Sequence, residues 1–282
     1  MDWLTEHKLP IGQWAKHFVD WLTDNAYWFF DAIAYGLERM IDAILWMLQT
    51  PHPLVIVVAT TALAYAIHRR IGFTVFVGAA LLLIINQGYW EETTETLALV
   101  IGASVVCMAV GVPIGVAAAH RPKLFSVLRP ILDLMQTIPT FVYLIPALIL
   151  FGLGMVPGLI ATVIFAIPAP IRLTQLGVSS TPKQLLEAGE AFGATKSQLL
   201  WKIELPYALP QIMAGLTQTI MLSLSMVVIA ALVGADGLGV PTLRALNTVN
   251  IAKGFEVGVA IVLIAIVLDR FFRNEAIEGG RK

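Results

Sequence analysis

Long apolar runs, broken only by short polar links, dominate this sequence and restrict what it can fold into. Seven of them fall near residues 54–68, 71–88, 95–119, 130–153, 157–172, 209–233 and 255–270. A helix needs roughly 20 mainly apolar residues to cross a bilayer, with about 17 to 25 tolerated. In hydrocarbon every backbone N–H and C=O must be paired within the chain, so such runs fold as helices. Only 13% of the residues are charged and 58% are hydrophobic, whereas a soluble domain carries about a quarter charged. The pattern predicts an all-α membrane protein with about seven transmembrane helices, the first and fifth of them short.

The remaining composition excludes several classes. A net charge of −1 gives no footing for nucleic acid. Cys107 lies alone in an apolar run, and the five histidines, at 7, 17, 52, 68 and 120, show no metal-ligand spacing. The start, MDWLTEHKLPIGQW, lacks the basic opening and apolar core of a cleaved signal, so it is expected to stay on the protein. No GxxxxGK[ST] phosphate loop is present, so no ATP hydrolysis is expected on this chain, and no catalytic residues are assigned.

Lys and Arg favour the cytoplasmic side of a membrane protein. With seven spans, one side collects Arg69, Arg70, Arg121, Lys123, Arg129, Arg172, Lys183, Lys196, Lys202, Arg270, Arg273, Arg281 and Lys282. The other side holds Lys8, Lys16, Arg39, Arg244 and Lys253, with the acidic Glu91 and Glu92. This asymmetry predicts an outer N-terminus and a cytoplasmic C-terminus. Residues 11–50 are rich in Trp and Phe, but Asp20, Asp24, Asp31, Glu38, Arg39 and Asp42 interrupt them at helical spacing. They are expected to form amphipathic helices in the outer interface; the alternative is a weakly hydrophobic extra span.

Buried ionisable groups mark ion and proton pathways in membrane proteins. Here Asp133, Arg172, Asp269 and Arg270 all fall at cytoplasmic helix ends, which argues against ion-coupled transport. Mid-membrane polarity is neutral. The sixth run carries Gly215, Thr219 and Ser223 on one face with Thr217, Gln218, Met221 and Ser225 beside them; the fourth carries Gln136, Phe141 and Tyr143 together with helix-breaking Pro139 and Pro146. Together Gln136, Phe141, Tyr143, Thr217, Gln218, Met221 and Ser225 are candidates to line a gated pathway, the alternative being ordinary helix packing. The stretch 234–250 follows the sixth run, and its glycines permit a reversal and a short docked or re-entrant helix after Pro241.

Between the fifth and sixth runs lies a soluble-looking insert, LLEAGEAFGATKSQLLWKIELPYALPQ, residues 185–211. Thr181 to Gln184 has the form of a capping box with Pro182 at the first helical position, and Thr195 to Gln198 forms a second. These predict two short helices hinged at Gly193, the second ended by Pro206. Within the insert, Glu187-Ala188-Gly189, three residues, Gly193, nine residues and Ile203-Glu204-Leu205-Pro206 resemble the EAA motif of ABC importer permeases. Gly189 departs from the usual second Ala. DLMQTIPTFVYLIPALILFGLGMVPG, LSMVVIAALVGADGLG and AIVLDRFF look like the glycine betaine/proline betaine branch, choline-type importers included.

That resemblance, over roughly residues 90–272, implies a type I ABC importer permease fold. It implies that Glu187, Ala188, Gly189, Gly193, Ile203, Leu205 and Pro206 form the coupling element for a separate ATPase. The expected assembly is two copies of this chain, two cytoplasmic ATPases carrying ATP and Mg, and an extracytoplasmic substrate-binding protein, set in the lipid of a bacterial inner membrane. The implied cargo is a quaternary ammonium compound, and aromatic faces such as Phe141 and Tyr143 bind such cations. The expected segments are 1–52 at the outer interface, 53–92 with the first two spans, 93–272 as permease core with the coupling loop at 180–206, and 273–282 as cytoplasmic tail. Alternatives are a permease for another small solute such as an amino acid, or an osmotically gated channel. An integral-membrane enzyme would need clustered His or carboxylates that the sequence lacks. A reporter fused at residue 5 should read as external; a cytoplasmic signal would make residues 11–50 a span.

Overall fold

A computed structural model describes residues 10–272, and among these there is no strand. The helices run α1 (Ile11–Gln49), α2 (Pro53–His68), α3 (Ile71–Asn86), α4 (Trp90–His120), α5 (Pro122–Thr137), α6 (Thr140–Phe151), α7 (Met155–Ala166), α8 (Pro168–Ser179), α9 (Lys183–Ala191), α10 (Lys196–Leu199), α11 (Leu205–Ala230), α12 (Gly239–Asn247) and α13 (Ile251–Phe272). Lys8, Arg273, Arg281, Lys282 and the tail 273–282 lie outside the described residues.

All seven apolar runs are helical. Four stretches are long and apolar enough to cross: α4, α7 with α8, α10 through α11, and α13. The fourth run is not one straight span, because α5 and α6 meet at 94°. Ile138 and Pro139 are extended there, with ψ of 130° each, as the residue before a proline tends to be. Counting each bent pair as one span gives six, with α3 a shorter apolar helix of 16 residues.

The short α3 nonetheless keeps pace with α13. At one end His68, Phe73 and Phe271 stack edge to face, with ring centroids 4.9 to 6.0 Å apart. At the other, the Tyr89 hydroxyl lies 3.4 Å from Glu256 Oε2. The hairpin of α2 and α3 therefore covers the same depth as residues 256–271, the turn before Tyr89 supplying the remaining length. Val57, Ala64, Val77, Leu81, Ile84, Ile220, Leu224, Val257, Ile264 and Leu268 fill the space between these helices and α11.

The tightest seam joins α4, α8 and α11. In lipid there is no hydrophobic drive between helices, so close approach of backbones must supply the contact. Pro170 of α8 sits in two glycine notches: a Cβ on Gly111 of α4 would lie 2.9 Å from its Cγ, and one on Gly215 of α11 would lie 3.2 Å from its Cα. One turn on, a Cβ on Gly115 would come within 2.7 Å of both the Ile171 carbonyl oxygen and Thr174 Cβ. Thr219 and Ser223 are fully buried, and their hydroxyls donate back to the carbonyls of Gly215 and Thr219 at 2.8 Å. The Gly215, Thr219 and Ser223 face is thus a packing face, the bland alternative for that part of the sixth run.

The N-terminal segment is one long helix with a break at Ala26 (φ −123°, ψ 17°), and it meets α2 at 96°. If α2 crosses the membrane, α1 lies along its plane. Its sides differ. Trp14, Phe18, Trp21, Trp28, Tyr35 and Trp46 recur at whole turns and are exposed, while Asp20, Asp24, Asp31, Glu38 and Asp42 form an adjacent exposed stripe. Leu37, Met40, Ile41 and Ile44 form the third side and pack against Ala98, Ala103 and Leu159. Gln49 Nε2 anchors the C-terminal end by donating to Thr94 Oγ1 at 2.8 Å.

The stretch 234–250 is docked, not free. Gly237 has φ +118°, and a Cβ there would meet Thr96 Oγ1 at 2.7 Å. That same hydroxyl accepts from the Leu238 N–H at 2.9 Å. The short helix α12 starts at Gly239, two residues before the expected Pro241.

Replacing Gly115 by Leu should cost at least the ~1–3 kcal/mol typical of overpacking, read as a lower unfolding midpoint in detergent. Gly36 has nothing within 4 Å of its would-be Cβ, so Gly36→Ala should leave that midpoint unchanged or raise it.

Candidate functional site

The insert that carries the EAA-like motif is a compact helical hairpin. Its first helix does not begin as the sequence suggested. Pro182 is extended (ψ 132°) and precedes the first helical residue, Lys183, and no side chain caps α9. The Thr181 hydroxyl is buried without a partner, its N–H bonded back to Val178 at the end of α8. The capping box expected at Thr181 to Gln184 therefore does not form, because Pro182 holds the chain open just where the box would close.

The other local signals hold. Gly193 has φ +77°, with its N–H donating to the Glu190 carbonyl at 2.9 Å and the Ala194 N–H to the Gly189 carbonyl at 3.0 Å. This is the paired closure of a helix C-terminus that needs a left-handed residue, which glycine supplies without strain. Thr195 then caps α10: its N–H donates to Gln198 Oε1 at 2.8 Å, and the Gln198 N–H returns to Thr195 Oγ1 at 3.3 Å.

After α10 the backbone widens into a π turn, Leu200–Glu204, closed by the Leu205 N–H donating to the Leu200 carbonyl. Pro206 has no N–H for the carbonyl four residues back and would clash with it in a regular helix. The wider turn removes that conflict, and the chain runs without interruption from Lys196 to Val233. Pro206 is therefore not a stop; the second half of the insert and the span α11 are one continuous rod.

Gly189 and Ile203 explain the spacing of the motif. A Cβ on Gly189 would lie 2.6 Å from Leu199 Cδ2 and 2.8 Å from Ile203 Cδ1. The hairpin folds the second half of the motif down on the first, so the lengths on either side of Gly193 are packing requirements. The tips that would crowd a larger residue are the ends of flexible side chains, so an alanine needs only a small shift.

Outward, the hairpin presents apolar groups. Phe192 is 93% exposed and Trp201 68%, with Leu185 also exposed. Glu187, Ala188, Gly193 and Pro206 are exposed, Gly189, Ile203 and Leu205 half-buried. Glu204, inside the motif, is buried and faces His120 at the end of α4, with His120 Nε2 to Glu204 Oε2 at 2.9 Å. Sequence reasoning passed over this pair, whose members lie 84 positions apart and match no local pattern.

The candidate pathway residues are dispersed differently. On α11, Gln218 and Ser225 are exposed and Thr217 and Met221 half-buried. Gln211, Ala214, Gln218 and Ser225 form one exposed stripe with a polar character unusual on an apolar helix. Tyr143 packs in a cluster with Leu144, Ala161, Phe165, Met226 and Ile229. Its hydroxyl is buried without a partner. Gln136 is half-buried at the end of α5, and Phe141 is exposed just past the 94° break.

Comparison with known proteins agrees with this architecture. Residues 111–274 match the family described as binding-protein-dependent transport system inner membrane component. The chain is 45% identical to the glycine betaine transport system permease protein OpuAB of Bacillus subtilis, over 95% of this chain and 94% of that protein. It is 41% identical to the glycine betaine/carnitine transport permease protein GbuB of Listeria monocytogenes, over 93% and 94% of the two chains. It is 40% identical to the glycine betaine/proline betaine transport system permease protein ProW of Escherichia coli, over 93% of this chain and 74% of that protein. A chain of the methionine ABC transporter MetNI in an inward-facing conformation superposes with a TM-score of 0.59 at 25% identity, covering 66% of this chain and 94% of that one. An all-helical, multi-pass chain with the type I importer core, matched over nearly its whole length by such proteins, belongs to the ABC importer permeases, in the family of binding-protein-dependent transport system inner membrane components and its glycine betaine branch.

Proposed function

We propose that this chain forms half of the translocation pathway of an ATP-driven importer for glycine betaine and related quaternary ammonium osmolytes. Two copies line the pathway, two cytoplasmic ATPases holding ATP and Mg close them, and an extracytoplasmic binding protein delivers the cargo. Similarity at 40 to 45% identity to permeases named for glycine betaine supports the cargo. The N-terminus lies outside and the C-terminus in the cytoplasm, as the Lys and Arg asymmetry argues.

The observation that carries the coupling role is the exposed apolar cap of the hairpin. Leu185, Phe192 and Trp201 project from an element that already satisfies its own packing through Gly189, Leu199 and Ile203. Buried aromatic anchors dominate protein interfaces, and the ATPase groove is the partner this cap awaits. Along the membrane part, the exposed polar stripe with Gln218 and Ser225 is suited to a second copy and to the pathway between the two. Phe141 and Tyr143 supply aromatic faces for a quaternary ammonium group.

Phe192→Ser with Trp201→Ser should weaken ATPase association by roughly tenfold or more, the loss expected for one or two anchor side chains, measured by co-purification from detergent. Unchanged association would sink the docking assignment. Gly193→Pro should abolish association, because proline cannot take φ +77°, whereas Gly193→Asn should retain it. For the cargo, glycine betaine uptake by the reconstituted transporter should be competed by other betaines, carnitine or choline and not by methionine; absence of betaine uptake would overturn the substrate.

A further inference from the structure

The helical hairpin at 183–204 has two routes into the membrane domain besides its attachment to α8. One is covalent, through the continuous rod into α11. The other is the contact between Glu204 and His120. Glu204 is 8% exposed, and its two carboxylate oxygens lie 2.9 and 3.1 Å from His120 Nε2. The second ring nitrogen, Nδ1, lies 3.0 Å from the Val116 carbonyl, one turn back on α4. The imidazole is thus fixed from both sides, by its own helix and by the coupling segment.

The place matters as much as the bond. Beside the pair, Val112, Val116 and Ala119 of α4 pack with Val178 of α8 and Leu205, Ala208 and Ile212 of α11. Close approach continues there, since a Cβ on Gly177 would lie 2.9 Å from Gln211 Cβ. His120 and Glu204 therefore close the cytoplasmic end of the same three-helix seam that Pro170 holds further in. Apolar contacts resist separation but permit sliding; a buried carboxylate held by both oxygens also fixes the relative position along the helix axes. Energetic coupling between distant sites needs such a contiguous physical link.

We infer that His120 and Glu204 are positioning residues for transport: their contact makes the cytoplasmic end of α4 follow the coupling hairpin when an ATPase moves it. This rests on the reading of the hairpin as the ATPase dock. Without the contact, hairpin motion reaches the bundle through α8 and α11 alone, and ATP hydrolysis proceeds with less import.

The test uses the complete transporter, permease with its ATPase and binding protein, in proteoliposomes, and reads solute imported per ATP hydrolysed. His120→Ala and Glu204→Gln should each lower that ratio about tenfold, within the usual range for coupling between sites. The double variant should fall no further than the singles, as expected for two members of one link. His120→Lys, which keeps an N–H donor facing the carboxylate, and Glu204→Asp, which keeps the carboxylate, should recover part of the ratio and guard against variants that fail to fold. An unchanged ratio in both single variants, or losses that multiply in the double variant, would overturn the inference. Loss of ATPase co-purification in His120→Ala would also overturn it, by showing that the pair only shapes the dock. Retained ATPase association in the Phe192 and Trp201 variants would instead count against the dock itself, so the two failures are distinguishable.

Discussion

The packing of Pro170 between Gly111 and Gly215 governs the geometry of the membrane domain. A bilayer offers helices no solvent to flee, so their association depends on how closely backbones can meet. Where α4, α8 and α11 converge, glycine supplies the closeness, and the Thr219 and Ser223 hydroxyls turn back onto carbonyls of α11, whereas the Thr174 hydroxyl of α8 is buried without a partner. Everything peripheral is hung on this seam: α1 and α7 against the first half of α4, and the α2 and α3 hairpin against α13 and α11.

The same seam receives the helical hairpin. Because the π turn lets Pro206 pass without a break, the hairpin and α11 form one rod, and the His120 contact ties that rod to α4. Glycine does opposite jobs in this one element. Gly193 turns the chain in a conformation other residues resist, whereas Gly189 keeps an ordinary helical conformation and simply leaves room for Leu199 and Ile203. A family motif that reads as a string of preferred residues is, in three dimensions, a fold-back whose two halves touch.

Much of this was legible in the sequence, because hydrocarbon imposes strong rules. Apolar length located α2, α3, α4, α11 and α13, whereas the 130–153 and 157–172 runs, each expected as one helix, divide between two; the local chemistry of Thr195, Gln198 and Gly193 located the cap and the reversal. What escaped was decided by context. Thr181 carried the pattern of a cap, but Pro182 stayed extended and the hydroxyl turned inward. Pro206 carried the pattern of a stop, but one extra residue in the turn absorbed it. The 130–153 run held two prolines that marked a distortion without fixing its angle. His120 and Glu204 could not be found at all, since nothing local announces a pair that is assembled by two helices 84 residues apart.

The π turn also preserves angular phase. An α-helix advances about 100° per residue, and a π turn accommodates one residue more than its α-helical equivalent. One residue more in a straight helix would swing everything beyond it by about 100°; taken up in the turn from Leu200 to Glu204, it leaves α11 facing nearly the same way. Gly215 therefore stays on Pro170 while Ile203 stays on Gly189. Losing a residue there would keep that phase and instead return Pro206 to its conflict with the carbonyl four residues back. Helical registry across this turn, rather than any one contact, is what keeps the two faces of the rod pointing where they do.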